Sequence, residues 1–309
     1  MRVFVQKQIS LVSTDVAAST YSEYSSGTTY GVGTNVKVSY ESDGTTPLLT
    51  VLEFTSSASS NTNNYPPDNL DKWSPLGIDN MAVCNRDACL DGYINTKTSS
   101  LGNMEYVLDV SGTNAVGLFN VKANTVSFNL DYDGSSVATS EESLIIYPEK
   151  NWWSYFNNDL EWGKTILWTY PRFSSSELTL TFDYYPTENT DCGMIIVGTE
   201  KFIGLTEYGA KMGIRDYGMS ETDSLGRIFL SPGSNYSRTR SIELLIDHDQ
   251  VDLIEQRLVD IRGVACIFDC NNPGLYDRSL IIYGYYRDFY IVIEYPTMCK
   301  CVLEIEGMI

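Results

Sequence analysis

The final segment of the chain, residues 280–309, constrains the fold more than any other stretch. It reads LIIYGYYRDFYIVIEYPTMCKCVLEIEGMI, and Tyr, Phe, Ile and Val make up much of it. Branched and aromatic side chains suit a pleated, half-buried surface, so the segment predicts three β-strands with very short connections and a turn at Tyr283-Gly284. This end of the sequence is therefore expected to lie within a sheet.

The charge balance excludes several classes of partner. The 309 residues include 40 acidic and 21 basic side chains, which give a formal net charge of −19. Proteins that grip phosphate backbones need clustered Lys and Arg, and an anionic membrane surface repels an acidic chain. No apolar run approaches the roughly 20 residues that span a bilayer. We therefore expect no specific nucleic-acid binding and no membrane insertion. The acidity favours solubility; alternatively, the acidic residues line a passage through which nucleic acid moves without binding.

Short strand patterns separated by polar, turn-rich stretches fill the first half. They predict strands at 3–5, 35–40, 48–54, 106–110, 115–120, 125–131 and 144–147. Many short strands with such connections indicate a β-sandwich or jelly roll. The composition changes around Tyr147-Pro148-Glu149-Lys150, so we predict domains at 1–147 and 148–309.

The second domain is predicted to be a β-sheet assembly with one packed α-helix, which makes the whole chain mainly β. Strand patterns occur at 178–184, 194–197, 226–230 and 239–246, whereas glycines interrupt 202–217 and indicate a folded loop.

The helix is predicted at residues 249–262. Its apolar positions recur at helical spacing: Val251, Ile254, Leu258 and Ile261. Leu253 and Val259 widen this stripe. Asp247 or His248 is expected to cap the start, and Gly263 is expected to end the helix.

Reactive side chains are scarce. The seven cysteines lack the paired spacing and the His partners of a zinc site, so we expect buried free thiols, with Cys84 and Cys89 the pair most able to form a disulfide. His248 is the only histidine, and a capping or surface role explains it better than a proton shuttle. Asp131 and Asp133 precede a glycine as in a fragment of a Ca²⁺ loop, but a β-turn explains them better. We predict no catalytic residue, no metal and no cofactor.

The sequence feature that most favours a specific binding function is a belt of aromatic residues just after the predicted domain boundary. Its leading members are Trp152, Trp153, Tyr155 and Trp162. Exposed Trp and Tyr rings stack on sugars, so the belt could form a saccharide platform. Aromatic residues are also enriched at subunit interfaces. We favour the interface and keep glycan binding as the alternative.

Four short motifs follow one another within residues 65–131. They are PDNL at 67–70, LDGYINT at 90–96, the strand pattern at 104–110 and VGLFN at 116–120. Their order resembles the galactose-binding, discoidin-like β-sandwich. The resemblance implies a fold for the first domain rather than an activity.

A longer series of motifs spans residues 200–309. It comprises LTEYGA at 205–210, GIRDYG at 213–218, DSLGR at 223–227, RGVAC at 262–266, YGYYRDF at 283–289 and CVLEIEG at 301–307. Their order resembles structural proteins of the tail or tail tip of tailed bacteriophages, some of which carry an N-terminal carbohydrate-binding-like sandwich. The resemblance implies a non-enzymatic virion component of the tail tip, collar or baseplate that is assembled in the host cytoplasm. Its implied partners are other tail proteins and copies of itself in a ring, with a host surface glycan as the alternative partner.

Overall fold

The computed structural model describes residues 1–76, 82–146, 152, 161–217, 219–222, 228–231, 236–272, 278–293 and 295–308. Within these ranges the protein is mainly β, and one α-helix is described over its full length. The predicted fold class is confirmed. No helix in this part of the chain has the length and the apolar character that a bilayer crossing requires.

The early strands are β1 (Arg2–Lys7), β2 (Ser10–Thr14), β3 (Ser22–Glu23), β4 (Asn35–Tyr40), β5 (Pro47–Ser56), β6 (Trp73–Pro75), β7 (Thr98–Leu101), β8 (Met104–Asp109), β9 (Ala115–Phe119), β10 (Thr125–Tyr132), β11 (Ser135–Ser143) and β12 (Ile145–Ile146). The later strands are β13 (Glu161–Trp162), β14 (Thr165–Thr169), β15 (Glu177–Asp183), β16 (Asn189–Cys192), β17 (Met194–Phe202), β18 (Leu205–Thr206), β19 (Lys211–Asp216), β20 (Met219–Thr222), β21 (Ile228–Ser231), β22 (Tyr236–Asp247), β23 (Cys266–Asp269), β24 (Ile281–Val292) and β25 (Met298–Gly307). Helix α1 spans Val251–Asp260, and short 3₁₀ turns occupy Pro66–Asp68, Ala88–Leu90, His248–Gln250 and Arg278–Leu280.

Two antiparallel sheets form a sandwich-like arrangement. The larger sheet has ten strands: nine run in the order β14-β9-β17-β1-β23-β24-β25-β22-β18, and β19 pairs with β22 beside them. The other sheet has five strands in the order β11-β10-β15-β8-β2. Strand β10 buries Val126, Phe128 and Leu130 and leaves the residues between them less buried, because alternate side chains of a strand point to opposite faces. These residues pack with Leu118 and Ile166 of the large sheet in one apolar core.

Helix α1 covers the other part of the large sheet. Its buried residues Ile254 and Leu258 share an apolar core with Ile242 of β22 and Leu303 of β25. The Tyr286 hydroxyl of β24 donates a hydrogen bond to the Leu258 carbonyl oxygen at 2.8 Å. Burial of one apolar stripe against the sheet therefore fixes the helix in place.

The ends and the width of the helix differ from the prediction. The predicted cap by Asp247 or His248 is wrong, because a 3₁₀ turn precedes the helix and no side chain caps either element. Leu253 and Val259 are exposed, so the predicted widening of the stripe is wrong as well. The helix ends at Asp260 with Ile261 as its C-cap, two residues before the predicted end at Arg262. Gly263 follows with a φ of 72°, in the left-handed region where glycine meets little steric cost.

A third sheet has its own apolar core. Its strands lie in the order β3-β4-β5-β6, with β3 parallel to β4 and the other pairs antiparallel. Trp73 is fully buried there against Tyr30, Val36 and Phe54. Its indole Nε1 donates a hydrogen bond to the Asn64 carbonyl oxygen at 2.9 Å, so the buried polar atom has a partner.

Strands from both sides of the predicted boundary at residue 147 pair with one another. Strand β10 pairs with β15, β9 pairs with β14 and β17, and β1 pairs with β17 and β23. Each of the two large sheets therefore contains strands from 1–147 and from 148–309. The division into domains at these residues stays a prediction.

The closing segment forms two long strands instead of the predicted three. The predicted turn at Tyr283-Gly284 is wrong, because Gly284 lies inside β24 and is paired with Cys266 on one side and Gly307 on the other. A register shift between Tyr286 and Asp288 bends β24 without reversing it.

The loop predicted at 202–217 is also wrong. Strand β17 extends to Phe202, and β18 and β19 both pair with β22. Gly209 has a φ of 107° and provides the turn between β18 and β19, whereas Gly213 lies within β19. Tertiary pairing with β22 therefore overrides the local signal of the glycines.

Substitution of Gly284 tests how closely the backbones of β24 and β25 approach each other. A Cβ at this position would lie 2.1 Å from the Glu306 carbonyl oxygen and 2.7 Å from the Gly307 Cα, and these backbone atoms cannot move without separating the strands. We predict that Gly284→Ala lowers the free energy of unfolding by about 2 to 3 kcal/mol, measured by urea denaturation. Gly31→Ala is the control: no atom lies within 4 Å of its added Cβ, and its change is expected to stay within about 0.5 kcal/mol. Equal stability of the two variants would contradict this account.

Candidate functional site

The predicted aromatic residues differ in their surroundings. Trp152 is 78% exposed. Trp162 is half-buried: its ring packs against the sandwich core, and its Nε1 donates a hydrogen bond to Asn124 Oδ1 at 3.3 Å. Trp153 and Tyr155 lie outside the described residues. A shared surface of these four residues stays a prediction, while the contacts of Trp162 are those of a packing residue.

The cysteines are interior residues. All seven are buried and free, so the predicted free thiols are confirmed and Cys84 and Cys89 are not bridged. Burial raises the pKa of Cys84, Cys266 and Cys301 to about 11. These thiols are therefore protonated at neutral pH, whereas the thiolate is the form that attacks electrophiles and binds metals.

His248 has a neighbour that sequence reasoning did not identify. Its Nδ1 lies 3.5 Å from the Cys299 Sγ. The pairing of β22 with β25 brings the two residues together. The backbone N–H of His248 also donates a hydrogen bond to the Thr297 carbonyl oxygen at 3.1 Å. Because Cys299 is only 1% exposed, its sulfur is closed to a substrate, and the contact serves packing.

The acidic turn between β10 and β11 is a hairpin turn. Its two residues, Asp133 and Gly134, have φ values of 52° and 74°, as in a two-residue type I′ turn. The predicted β-turn is confirmed. Within the described ranges, no group of three or more His, Cys, Asp and Glu residues could hold a metal ion.

Strand β19 is an exposed edge of the large sheet. All six of its residues are exposed, including Met212 at 55% and Ile214 at 70%. It pairs with β22 on one side; on the other side it pairs with no strand in the part of the chain that the structure describes. An exposed edge with apolar side chains is a template for pairing with another chain.

A buried carboxylate holds the end of β19 against the sheet. Glu306 of β25 is 5% exposed, and its Oε1 accepts a hydrogen bond from the Tyr217 hydroxyl at 2.7 Å. Arg215 Nη1 lies 3.3 Å from the same oxygen. The other oxygen, Oε2, lies 3.3 Å from Arg287 Nε and accepts a hydrogen bond from the Tyr285 hydroxyl at 3.4 Å. Donors from the β19 end and from β24 therefore meet on one side chain.

These donors lower the pKa of Glu306. The hydrogen bond from Tyr217 contributes most, and the charges of Arg215 and Arg287 add to it against the opposing effect of desolvation. Glu306 is therefore ionised at neutral pH. Its fixed negative charge orients two guanidinium groups and holds the edge strand in a defined position.

The surface beside Glu306 is locally cationic. A concavity of about 300 Å³ is lined by the basic residues Lys211, Arg215, Arg240 and Arg287, with Glu304 as its acidic lining residue. The net charge of the whole chain is −19, so this surface differs in sign from the protein as a whole. Surfaces of opposite sign steer partners together and set their register.

Sequence reasoning did not identify this cluster. Arg215 and Tyr217 fall in the stretch predicted to be a loop, and Glu306 lies in a motif used only for its resemblance. One signal was available: a carboxylate in the apolar run CVLEIEGMI requires partners if the strand is buried. The identity of those partners depends on strand pairing.

Neither a scan against protein-family models nor a search of curated proteins finds a match to this chain. Its functional assignment therefore depends on its own residues and their geometry.

Glu306→Gln tests the role of the buried carboxylate. We predict a loss of about 2 kcal/mol in the free energy of unfolding at neutral pH, because Arg215 and Arg287 lose the charge that they share. Since folding lowers the pKa of Glu306, its contribution is present above the unfolded pKa and is lost as the pH falls through the folded pKa. The difference between the variant and the wild type is therefore expected to shrink below about pH 4.

Urea denaturation at neutral and acidic pH measures this difference. Glu304→Gln is the matched control, since Glu304 is an exposed carboxylate on the same strand and its loss is expected to change stability by less than about 0.5 kcal/mol. Equal losses for the two variants, or a difference that does not depend on pH, would contradict the role given to Glu306.

Proposed function

We propose that this chain is a non-enzymatic structural component of a bacteriophage tail, placed in the tail tip, collar or baseplate. In this proposal it assembles with copies of itself and with neighbouring tail proteins. The order of the motifs in residues 200–309 supports the tail assignment. The observation that carries the assembly is the exposed edge strand β19, with all six of its residues at the surface.

The geometry of β19 favours assembly over a solitary role. Proteins that remain monomeric usually blunt their sheet edges with short strands, charged side chains such as Lys, Pro, bulges or covering elements. Strand β19 carries Lys211, but it contains no Pro and presents Met212 and Ile214 to solvent. Glu306 fixes the position of β19 through its contacts with Tyr217 and Arg215. Because β19 is already ordered, it would lose less conformational entropy when a partner strand binds to it.

Imaging of labelled particles tests this proposal. Phage particles that carry a tagged copy of the chain are purified, marked with a tag-specific gold label and viewed by electron microscopy. We expect the label at a constant level of the tail, because copies in a closed ring share one height on the tail axis. A matched label on a host enzyme serves as the control. Absence of the chain from purified particles would overturn the proposal.

Glycan binding is the second candidate function, and the exposed side chain of Trp152 favours it. Aromatic rings at a surface stack on sugar rings, so Trp152→Ala is expected to weaken glycan binding by about tenfold on an array of bacterial surface saccharides. Tyr208→Ala is the matched control, since Tyr208 is an aromatic residue with 94% exposure outside the predicted belt. Failure of the wild-type protein to bind any saccharide would remove this candidate.

A further inference from the structure

The five-stranded sheet also ends in an exposed strand. Strand β11 pairs with β10 on one side, and on its other side no strand of the described ranges pairs with it. Seven of its nine residues are exposed, among them Val137 at 41%. The strand reads SSVATSEES and has neither the Pro nor the Lys that commonly protects an edge; its one irregularity is a register shift against β10 at Val137. The molecule therefore presents two exposed edge strands on two different sheets.

The two edges carry opposite charge. Strand β19 contains Lys211, Arg215 and the acidic Asp216, whereas β11 contains Glu141 and Glu142 and no basic residue. Glu142 is ion-paired with Arg278, while Glu141 is exposed. Residues that lie opposite each other across paired strands attract when their charges differ and repel when they match.

The charge of the whole chain restricts how copies can meet. Each copy has a net charge of −19, so two copies repel unless a basic surface of one meets an acidic surface of the other. Pairing β11 with β11 would offer the glutamates of each strand no basic residue, because β11 contains none. Pairing β19 with β11 can place Lys211 against Glu141, and the exposed Ile214 can then cover the half-buried Ala138.

We propose that copies of this chain join by strand addition, with β19 of one copy pairing along β11 of the next. In an antiparallel register with Lys211 opposite Glu141, Ile214 lies opposite Ala138 and Arg215 lies opposite Val137. Backbone hydrogen bonds supply affinity, and the Lys211–Glu141 pair selects the register. The inference rests on the self-assembly of the proposed function and names the contact that performs it.

This contact is heterologous, because the two copies contribute different strands. Each copy keeps one free β19 or one free β11 after the first contact, so addition continues. Such a contact produces a ring when the rotation between copies closes and a filament when it does not. In the proposed function the contact closes a ring, because a ring of copies can surround the axis of a tail.

Charge reversal in the full-length protein tests the contact, with self-association followed by sedimentation velocity over a range of concentrations. Lys211→Glu and Glu141→Lys are each expected to weaken self-association by roughly tenfold, because each places like charges opposite one another. The double variant restores the pair in reverse and is expected to recover the wild-type affinity. Asp71→Lys is the matched control for Glu141→Lys, since both replace an exposed carboxylate by an amine and Asp71 lies outside both edges.

Cross-linking identifies the contact independently of affinity. All seven native cysteines are buried, so a cysteine introduced at the surface is the reactive thiol. A mixture of Lys211→Cys and Glu141→Cys proteins is expected to form covalent dimers on mild oxidation, while each variant alone does not. Covalent dimers of Lys211→Cys alone would reveal a β19–β19 contact and overturn the inference.

The outcomes separate this inference from the proposed function. Self-association that is indifferent to both charge reversals would overturn the β19–β11 contact and leave assembly in a tail intact. A wild-type protein that stays monomeric at every concentration would overturn the contact as well, and particle imaging would then decide the proposed function by itself.

Discussion

Strand β1 lies in the middle of the large sheet, and its two pairings join the parts of the molecule. It pairs with β17 along its whole length and with β23 through residues 2–5. Val3 faces the core that α1 covers, and Phe4 faces a separate core that contains Phe119 and Met194. Because neighbouring side chains of a strand point to opposite faces, this one strand contributes to two cores. Without it, the sandwich and the helix-covered part would lose the strand that they share.

The ten-stranded sheet and the five-stranded sheet each have an exposed edge strand, and the proposed assembly depends on these two strands. The central strands pair on both sides, so their backbone groups are satisfied within the chain. The edge strands β19 and β11 are exposed and differ in charge. Glu306 connects the two regions, because it is buried in β25 and holds Arg215 and Tyr217 at the end of β19. The surface proposed for assembly is therefore an extension of the core.

Local patterns predicted those elements that local physics determines. The helix was found because its apolar stripe recurs at helical spacing, and β10 with its Asp-Gly turn was found because alternating apolar residues precede that turn. The interiors of β4 and β9 were found for the same reason. The polar strand β11 was not predicted. The loop predicted at 202–217 and the turn predicted at Tyr283-Gly284 were wrong. Gly213 and Gly284 resemble chain reversals in the sequence, but each lies within a strand that a distant partner holds.

The sequence by itself determined that the chain is mainly β with one packed helix, that its thiols are buried and that its net charge is −19. These properties depend on composition and on patterns that span a few residues. The tertiary structure decided which strands lie in the middle and which at the edges, because pairing between strands far apart in sequence is not encoded in any short window. It also decided the partners of Glu306, since Tyr217, Arg215 and Arg287 reach one carboxylate only when β19, β22, β25 and β24 lie side by side.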